Sequence, residues 1–193
     1  MAKRQKNNGQ ADKARIGAIG ESLVLTELMR QGWDAFNANC TIKNYKSIDI
    51  VCINTDLKVS DELWWKPQTA FVQVKTSVQT YIPVGFSIEE SLDKDYLEKM
   101  VKGPYIFVSA KPKEMGYTFR YFILSRRQFI DLLHSSHVFY DKWRNGQEVK
   151  TAPAGLSVSW LEGKPKFSPK IQIDFGNPIK KTCENQWQNI WIE

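Results

Sequence analysis

The pentapeptide Phe71-Val72-Gln73-Val74-Lys75 constrains the fold most, because it is typical of a short strand with one apolar face. Side chains alternate along a strand, so the two valines point one way while Phe71, Gln73 and Lys75 point the other. The second face therefore presents an amide and an ammonium group two residues apart. Many half-buried strands alternate in this way without any function. The pattern gains weight only from the acidic residues that precede it.

An aspartate stands inside the apolar segment Ile48-Asp49-Ile50-Val51, which predicts another strand over residues 48–53. Aspartate is depleted in strands and is costly to bury without a partner. Asp49 therefore indicates either a hydrogen-bonded structural carboxylate or a metal ligand, and the residues alone leave both interpretations open.

A helix is predicted over residues 12–31, ending at Gly32, where a left-handed residue is usual. Gly17 and Gly20 lie on its apolar stripe, so the helix can approach a sheet closely. Glu21 lies beside that stripe, which predicts a carboxylate near the sheet. The alternative is a glutamate favoured by the helix dipole, although Glu21 lies beyond the first turn.

The remaining chain predicts alternating helices and strands in one α/β domain, residues 12–193, with a core over 12–135 and C-terminal strands and a helix over 136–193. Residues 1–11 are polar and basic and predict a flexible tail, or alternatively an arm that follows a phosphate backbone. The other predicted elements are strands over 33–38, 70–75, 105–110, 117–124, 155–161 and 170–175, helices over 87–101, 126–135 and 184–190, and turns over 43–47 and 83–86.

Composition restricts the class of protein. The chain has 193 residues, and 27 Lys and Arg against 21 Asp and Glu give a net charge of +6, whose sign suits a phosphate-rich partner. The three cysteines, Cys40, Cys52 and Cys183, argue against a disulfide framework and a zinc ribbon. We find no secretory signal and no membrane-spanning apolar stretch, and we expect a cytoplasmic protein without a membrane partner.

The candidate residues are suited to one kind of chemistry. Magnesium takes oxygen ligands and keeps several waters, so one or two carboxylates and a neutral oxygen are sufficient. Asp49 is the candidate anchoring carboxylate, the side-chain oxygen of Gln73 the neutral ligand, and Glu21 a ligand directly or through water. Lys75 can orient or deprotonate the attacking water, or stabilise charge on a phosphate oxygen. This set predicts phosphodiester hydrolysis.

Three segments in this order, G-x-x-G-E over 17–21, I-D-I-V over 48–51 and F-V-Q-V-K-T-S over 71–77, resemble the PD-(D/E)xK nuclease superfamily. The resemblance covers residues 12–110. Glutamine replaces the second acidic residue of the motif, and this Q-x-K variant is similar to Holliday junction resolvase-like enzymes and to intron-encoded homing endonucleases.

The resemblance implies a restriction-endonuclease-like fold, a central mixed β-sheet flanked by helices, in a hydrolase that binds DNA with Mg2+ or Mn2+. It implies Glu21 as the helix acid, Asp49 as a metal ligand, Gln73 as the substituted ligand and Lys75 as the catalytic lysine. Two features depart from the pattern: 24 positions separate Asp49 from Gln73, which indicates an insertion, and Gln73 brings no charge to the metal.

Two other functions stay open at this point. A catalytically inactive relative can keep DNA binding or serve as an assembly module, and a purely structural protein can bury Asp49 and Lys75 as an ion pair. The protein can also be a homodimer, because paired cuts need two sites. The adjacent Trp64 and Trp65 are the candidate contact, although ordinary packing or a base-stacking platform also explains them. His134 and His137 resemble a zinc pair by spacing, but they lack a third ligand.

Overall fold

The computed structural model describes residues 2–38, 48–54, 68–79, 81–143, 153–157 and 179–193. Within these ranges the elements follow the chain as α1 (Ala2–Arg30), β1 (Asp34–Asn37), β2 (Ile50–Asn54), β3 (Gln68–Ser77), β4 (Tyr81–Ser87), α2 (Ile88–Leu92), α3 (Lys94–Met100), β5 (Tyr105–Lys113), β6 (Gly116–Leu124), α4 (Arg126–Trp143), β7 (Pro153–Ser157) and the 3-10 helices Lys181–Cys183 and Trp187–Trp191.

The central layer is a five-stranded mixed sheet in the order β1-β2-β3-β5-β6. Strands β1, β2 and β3 form an antiparallel meander, β3 and β5 are parallel, and β6 returns antiparallel to β5. The parallel pair needs a crossover, which β4, α2 and α3 supply. The predicted α/β class, with a mixed sheet flanked by helices, is confirmed.

The sheet separates two apolar cores. On one face, Val24 and Leu28 of α1 pack against Val72, Val74 and neighbouring strand residues. The other core is rich in aromatic side chains from the sheet and α4, together with apolar residues of β4, β7, α2 and α3. The main sheet is therefore the middle of three layers.

Helix α1 begins at Ala2, so its predicted start near Asp12 is wrong, and residues 2–11, which the sequence predicts as a flexible tail, have helical backbone. The reason is that Ala, Lys, Arg and Gln favour helix even without an apolar stripe. The predicted end is confirmed, since Gly32 has φ +87°. The single domain over 12–193 stays a prediction.

The predicted turn over 83–86 is also wrong, because this segment lies within β4. Ile82, Val84 and Phe86 are buried in alternation with exposed residues. Strand β4 pairs with β7 outside the main sheet. Among the described residues β7 is its one neighbour, so a proline at 83 is tolerated as on an edge strand. Long-range pairing therefore overrides the local turn signal.

The helix predicted over 87–101 is two helices that meet at Asp93. The hydroxyl of Ser87 accepts from the N–H of Glu90, whose carboxylate accepts from the N–H of Ser87, and this capping box starts α2. Asp93 then accepts from the N–H of Tyr96 and starts α3. The crossover therefore follows two successive caps.

The C-terminal predictions have mixed outcomes. Ser125 precedes α4 as predicted, but α4 continues to Trp143, and the expected helix over 184–190 is replaced by 3-10 turns. The strand expected over 155–161 is described as β7, Pro153–Ser157. The turn over 43–47, the Trp64-Trp65 pair and the strand over 170–175 lie outside the described residues.

None of the helices that the structure describes has both the length and the hydrophobicity of a membrane-spanning segment.

Candidate active site

Asp49 lies directly before β2, where its backbone extends the sheet in both directions. Its N–H donates to the carbonyl of Val72 at 2.9 Å, and its carbonyl accepts from the N–H of Ala38 at 2.8 Å. The register pairs Ile50 with Val72, so Asp49 stands opposite Gln73. The two predicted site residues, 24 positions apart, are therefore direct cross-strand neighbours.

The Asp49 carboxylate is buried and accepts hydrogen bonds from β3. Its Oδ2 accepts from Nε2 of Gln73 and, at 2.7 Å, from the backbone N–H of Val74. Asp49 is 9% exposed and Gln73 is 5% exposed. Because these donors offset the loss of hydration, the structure explains how an aspartate is accommodated here.

Lys75 is half-buried two residues beyond Gln73 and lies on the same face of β3, opposite Phe107 of β5. No ion pair joins Lys75 to Asp49 in the part of the chain that the structure describes, so the structural hypothesis of a buried Asp49–Lys75 pair is not supported. The ammonium group therefore lies at the site without neutralising the buried carboxylate directly.

Glu21 reaches the same end of β3 from helix α1. Partial burial raises the pKa of Glu21 above its usual value of 4.5, and the negative charge of Asp49 raises it further. The positive charge of Lys75 opposes both effects. The Glu21 carboxylate is thus within electrostatic range of the strand residues, as its position beside the apolar stripe predicts.

The contact between Gly20 and Thr76 fixes this position of Glu21. A Cβ built on Gly20 would overlap the Thr76 side chain, whereas nothing lies within 4 Å of a Cβ built on Gly17. The predicted close approach of helix and sheet is therefore confirmed at Gly20 and wrong at Gly17. Glycine at 20 brings the backbone of α1 against β3, and Glu21 follows directly.

The residues after Lys75 have structural roles. Thr76 faces α1, where its Oγ1 is buried with no hydrogen-bond partner among the described residues. The Ser77 hydroxyl accepts from the N–H of Gln79 at 2.9 Å and stabilises the turn that leaves β3. Thr76 therefore does not add to the polar face that Gln73 and Lys75 share, whereas Ser77, two residues beyond Lys75, lies on that face.

Tyr105 is a site neighbour that sequence reasoning missed. It is 3% exposed, pairs with Gln73 across the parallel strands and stacks on Phe129, with 3.6 Å between the ring centroids. Burial and the charge of Asp49 both raise the pKa of its phenol. Only the β3–β5 register reveals this proximity, and no local motif near Tyr105 encodes that register.

The two histidines are accounted for by packing. Nδ1 of His134 lies 3.2 Å from the carbonyl of Ser91, and Nδ1 of His137 lies 2.8 Å from the carbonyl of Leu133. Burial lowers the pKa of His137, which favours its neutral form. Both rings are therefore tied to backbone carbonyls on or beside α4.

The donor chemistry at the strand end is compatible with a hard cation. Asp49 and Glu21 carry carboxylates and Gln73 carries an amide oxygen, which are ligands that magnesium prefers. The amide of Gln73 presently turns its nitrogen toward Asp49, so its oxygen faces away. Among the described residues, no group of three His, Cys, Asp or Glu side chains is placed to hold a metal.

Comparisons with known proteins do not place the chain in a family, because no protein-family model, no curated protein and no solved structure matches it.

Proposed function

We propose that this protein is a metal-dependent DNA endonuclease that hydrolyses phosphodiester bonds. The observation that carries the proposal is the pairing of buried Asp49 with Gln73, on the strand face that also holds Lys75. A buried carboxylate, an amide and an ammonium group on one face, with Glu21 in electrostatic range, form a site suited to phosphate chemistry.

Each side chain has a distinct role in this proposal. Lys75 orients the attacking water and stabilises the negative charge that develops on the phosphate oxygens. Asp49 and Glu21 supply negative charge for a cation, and the raised pKa of Glu21 makes its carboxylate easier to protonate than an ordinary glutamate. Tyr105 and the aromatic core beneath it exclude water from the inner side of Gln73.

Asp49, Gln73 and Glu21 would hold the Mg2+ or Mn2+ ion. When bound, the ion supplies charge neutralisation and polarisation of the scissile phosphate. For Gln73 to offer its oxygen, its amide must turn over, which breaks the present hydrogen bond to Asp49. The two arrangements of Gln73 therefore exclude each other.

Two broader properties support a nuclease. The α/β fold with a mixed, helix-flanked sheet agrees with the architecture that the PD-(D/E)xK resemblance implies. The net charge of +6 favours a polyanionic substrate.

The experiment is a cleavage assay on supercoiled plasmid, single-stranded DNA and branched DNA, with Mg2+, with Mn2+ and with excess chelator. We expect cleavage that requires the metal and that Asp49→Asn reduces about 100-fold or more, the size typical of losing one preorganised charged group. The control is Asp131→Asn, since Asp131 is exposed on α4 and pairs with Lys94. Cleavage that persists in chelator, or equally in Asp49→Asn, contradicts the proposal.

A catalytically inactive DNA-binding or assembly module is the second candidate, and one observation favours it. Gln73 is neutral and its N–H already satisfies Asp49, so the site is stable without a cation. This hypothesis predicts no cleavage with either metal. It predicts binding of duplex DNA, measured by gel shift, whose affinity falls steeply as salt concentration rises.

A further inference from the structure

The hairpin formed by β5 and β6 extends beyond the rest of the main sheet. Strand β3 pairs with β5 only as far as Ser77 opposite Ser109, whereas β5 continues to Lys113. Residues 110–113 and 116–119 are therefore a two-stranded ribbon, which adds about 13 Å at the usual rise per strand residue. The side chains over 111–118 are all exposed.

The two faces of this ribbon differ in chemistry. The register pairs Lys111 with Thr118 and Lys113 with Gly116, so both lysines lie on one face. The opposite face carries Tyr117 and Phe119, whose ring centroids are 6.1 Å apart. We call residues 110–119 the ribbon, and the side that carries Lys111 and Lys113 its lysine face.

The lysine face continues the face of the candidate site. Lys75 stands opposite Phe107, and side chains at every second residue of β5 point the same way, so Lys111 and Lys113 follow on that side. Because β3 and β5 are parallel, the ribbon starts at the sheet end where β3 stops, just beyond Lys75. Three lysines therefore lie on one side of the sheet, running outward from the site.

The base of the ribbon is firmly held. Arg120 forms two hydrogen bonds with the Glu184 carboxylate, at 2.7 and 2.9 Å, and the N–H of Asn185 donates to the carbonyl of Tyr121 at 2.9 Å. The C-terminal segment thereby fixes β6 where it leaves the sheet, and it pairs the Arg120 charge. Glu114 is the acidic residue at the exposed tip, beside Met115, which is 96% exposed.

We infer that the ribbon is a DNA-binding arm whose lysine face contacts the phosphates of duplex DNA flanking the bond at the candidate site. This inference rests on the proposed function, because it takes DNA as the substrate. Ammonium groups on a hairpin whose base is held by the C-terminal segment suit the phosphate backbone, which supplies most of sequence-independent affinity. The aromatic face turns away from the site and does not carry this contact.

The test measures binding of a fluorescent duplex by anisotropy, without divalent metal, over a series of salt concentrations. The double variant Lys111→Ala/Lys113→Ala should bind roughly tenfold more weakly at low salt, and its plot of log affinity against log salt should be shallower by about 1.8, since each phosphate contact contributes about 0.9. The matched control, Lys99→Ala/Lys102→Ala, removes the same charge at the opposite end of β5, where α3 leads into the strand.

A second pair of variants tests whether DNA contacts the lysine face of the ribbon or the opposite face. Thr118→Glu places a negative charge on the lysine face and should weaken binding several-fold, whereas Tyr117→Glu places it on the other face and should change binding less. Equal salt slopes for the two double variants, or a larger loss in Tyr117→Glu, overturns the inference. A circular-dichroism melt of each variant confirms that the hairpin is folded.

The binding and cleavage assays together distinguish failure of the DNA-binding ribbon from failure of the proposed nuclease activity. If the wild type cleaves DNA with metal and the ribbon variants bind DNA as the wild type does, the inference of a DNA-binding ribbon is wrong and the proposed nuclease activity stands. Salt-dependent binding that needs the lysine face, without cleavage, supports the arm and contradicts the nuclease. If the wild type binds no DNA, the inference of a DNA-binding ribbon is wrong. The cleavage assay then tests the proposed nuclease activity separately.

Discussion

The two faces of β3 are built from alternate residues of one strand, yet they have different roles. Val72, Val74 and Thr76 face helix α1, in a core that excludes water. Gln73 and Lys75 face the other side, where they meet Asp49 and the end of the sheet. Packing on one face therefore positions the polar side chains of the other, because both sets of side chains are carried by the same backbone.

Substitutions of adjacent residues on opposite faces of β3 test whether the two faces have different roles. Lys75→Ala should reduce metal-dependent cleavage about 100- to 1,000-fold, because in the proposed mechanism the Lys75 ammonium stabilises the charge that develops on the phosphate. Thr76→Ala should leave cleavage near the wild-type rate, since its buried hydroxyl has no partner among the described residues to lose. Single-turnover rates for both variants, with a melt to confirm folding, check the prediction; equal losses would contradict it.

The packing face can be tested through its glycine. Gly20→Ala should lower the free energy of unfolding by about 1–3 kcal/mol, the usual cost of overpacking, because its methyl group overlaps Thr76. Gly17→Ala is the matched control and should raise that free energy by up to about 1 kcal/mol, because its site is open and alanine favours helix.

Urea unfolding of both variants gives the comparison. Adding Thr76→Gly to Gly20→Ala should recover part of the loss, since it removes the side chain that the new methyl group meets. Equal stability of the two glycine variants would show that α1 does not press on β3 at residue 20.

The chemical face can be sharpened by restoring the acid that the resemblance leads one to expect. Gln73→Glu should lower stability at pH 7 by about 1–2 kcal/mol, because it replaces a hydrogen bond to Asp49 with repulsion between carboxylates. Mg2+ should then raise the melting temperature of the variant more than that of the wild type, because a cation between two carboxylates relieves the repulsion. Calorimetry with and without Mg2+ measures both effects, and an identical response to Mg2+ contradicts a cation site here.

The smallest expected effect concerns Glu21 and pH. The folded state raises the pKa of Glu21 above 4.5, so the folded protein holds this proton at pH values where the unfolded chain has released it. Stability contributed by the protonated acid is therefore complete below pH 4.5 and decreases as pH rises through the folded pKa. Glu21→Gln should lose less stability than the wild type between pH 4 and pH 7, measured by urea unfolding; parallel pH curves would contradict the shift.

Local signals in the sequence predict a large part of this fold. The strands at Ala70–Lys75 and Tyr105–Ala110, the end of α1 at Gly32 and the close approach at Gly20 are all found, because alternation and glycine act over a few residues. The site set of Glu21, Asp49, Gln73 and Lys75 is likewise brought to one end of β3.

Features that depend on distant pairing could not be predicted. Pro83 and Gly85 indicate a turn, yet pairing with β7 makes that segment a strand. Gln73 turns its amide nitrogen rather than its oxygen toward Asp49, and this orientation depends on the cross-strand neighbour, which the local sequence does not specify. The position of Tyr105 depends on parallel register across a crossover, which no short motif specifies.

The hydrogen bond between Gln73 and Asp49 also affects how the fold responds to a chelator. The buried Asp49 carboxylate accepts hydrogen bonds from Gln73 and Val74, so donors of the chain itself compensate for its burial. A small metallodomain whose ligands are unpaired without metal collapses when a chelator is added. This chain should instead keep its fold when a chelator is added, because its own backbone and side chains hydrogen-bond the buried Asp49 carboxylate.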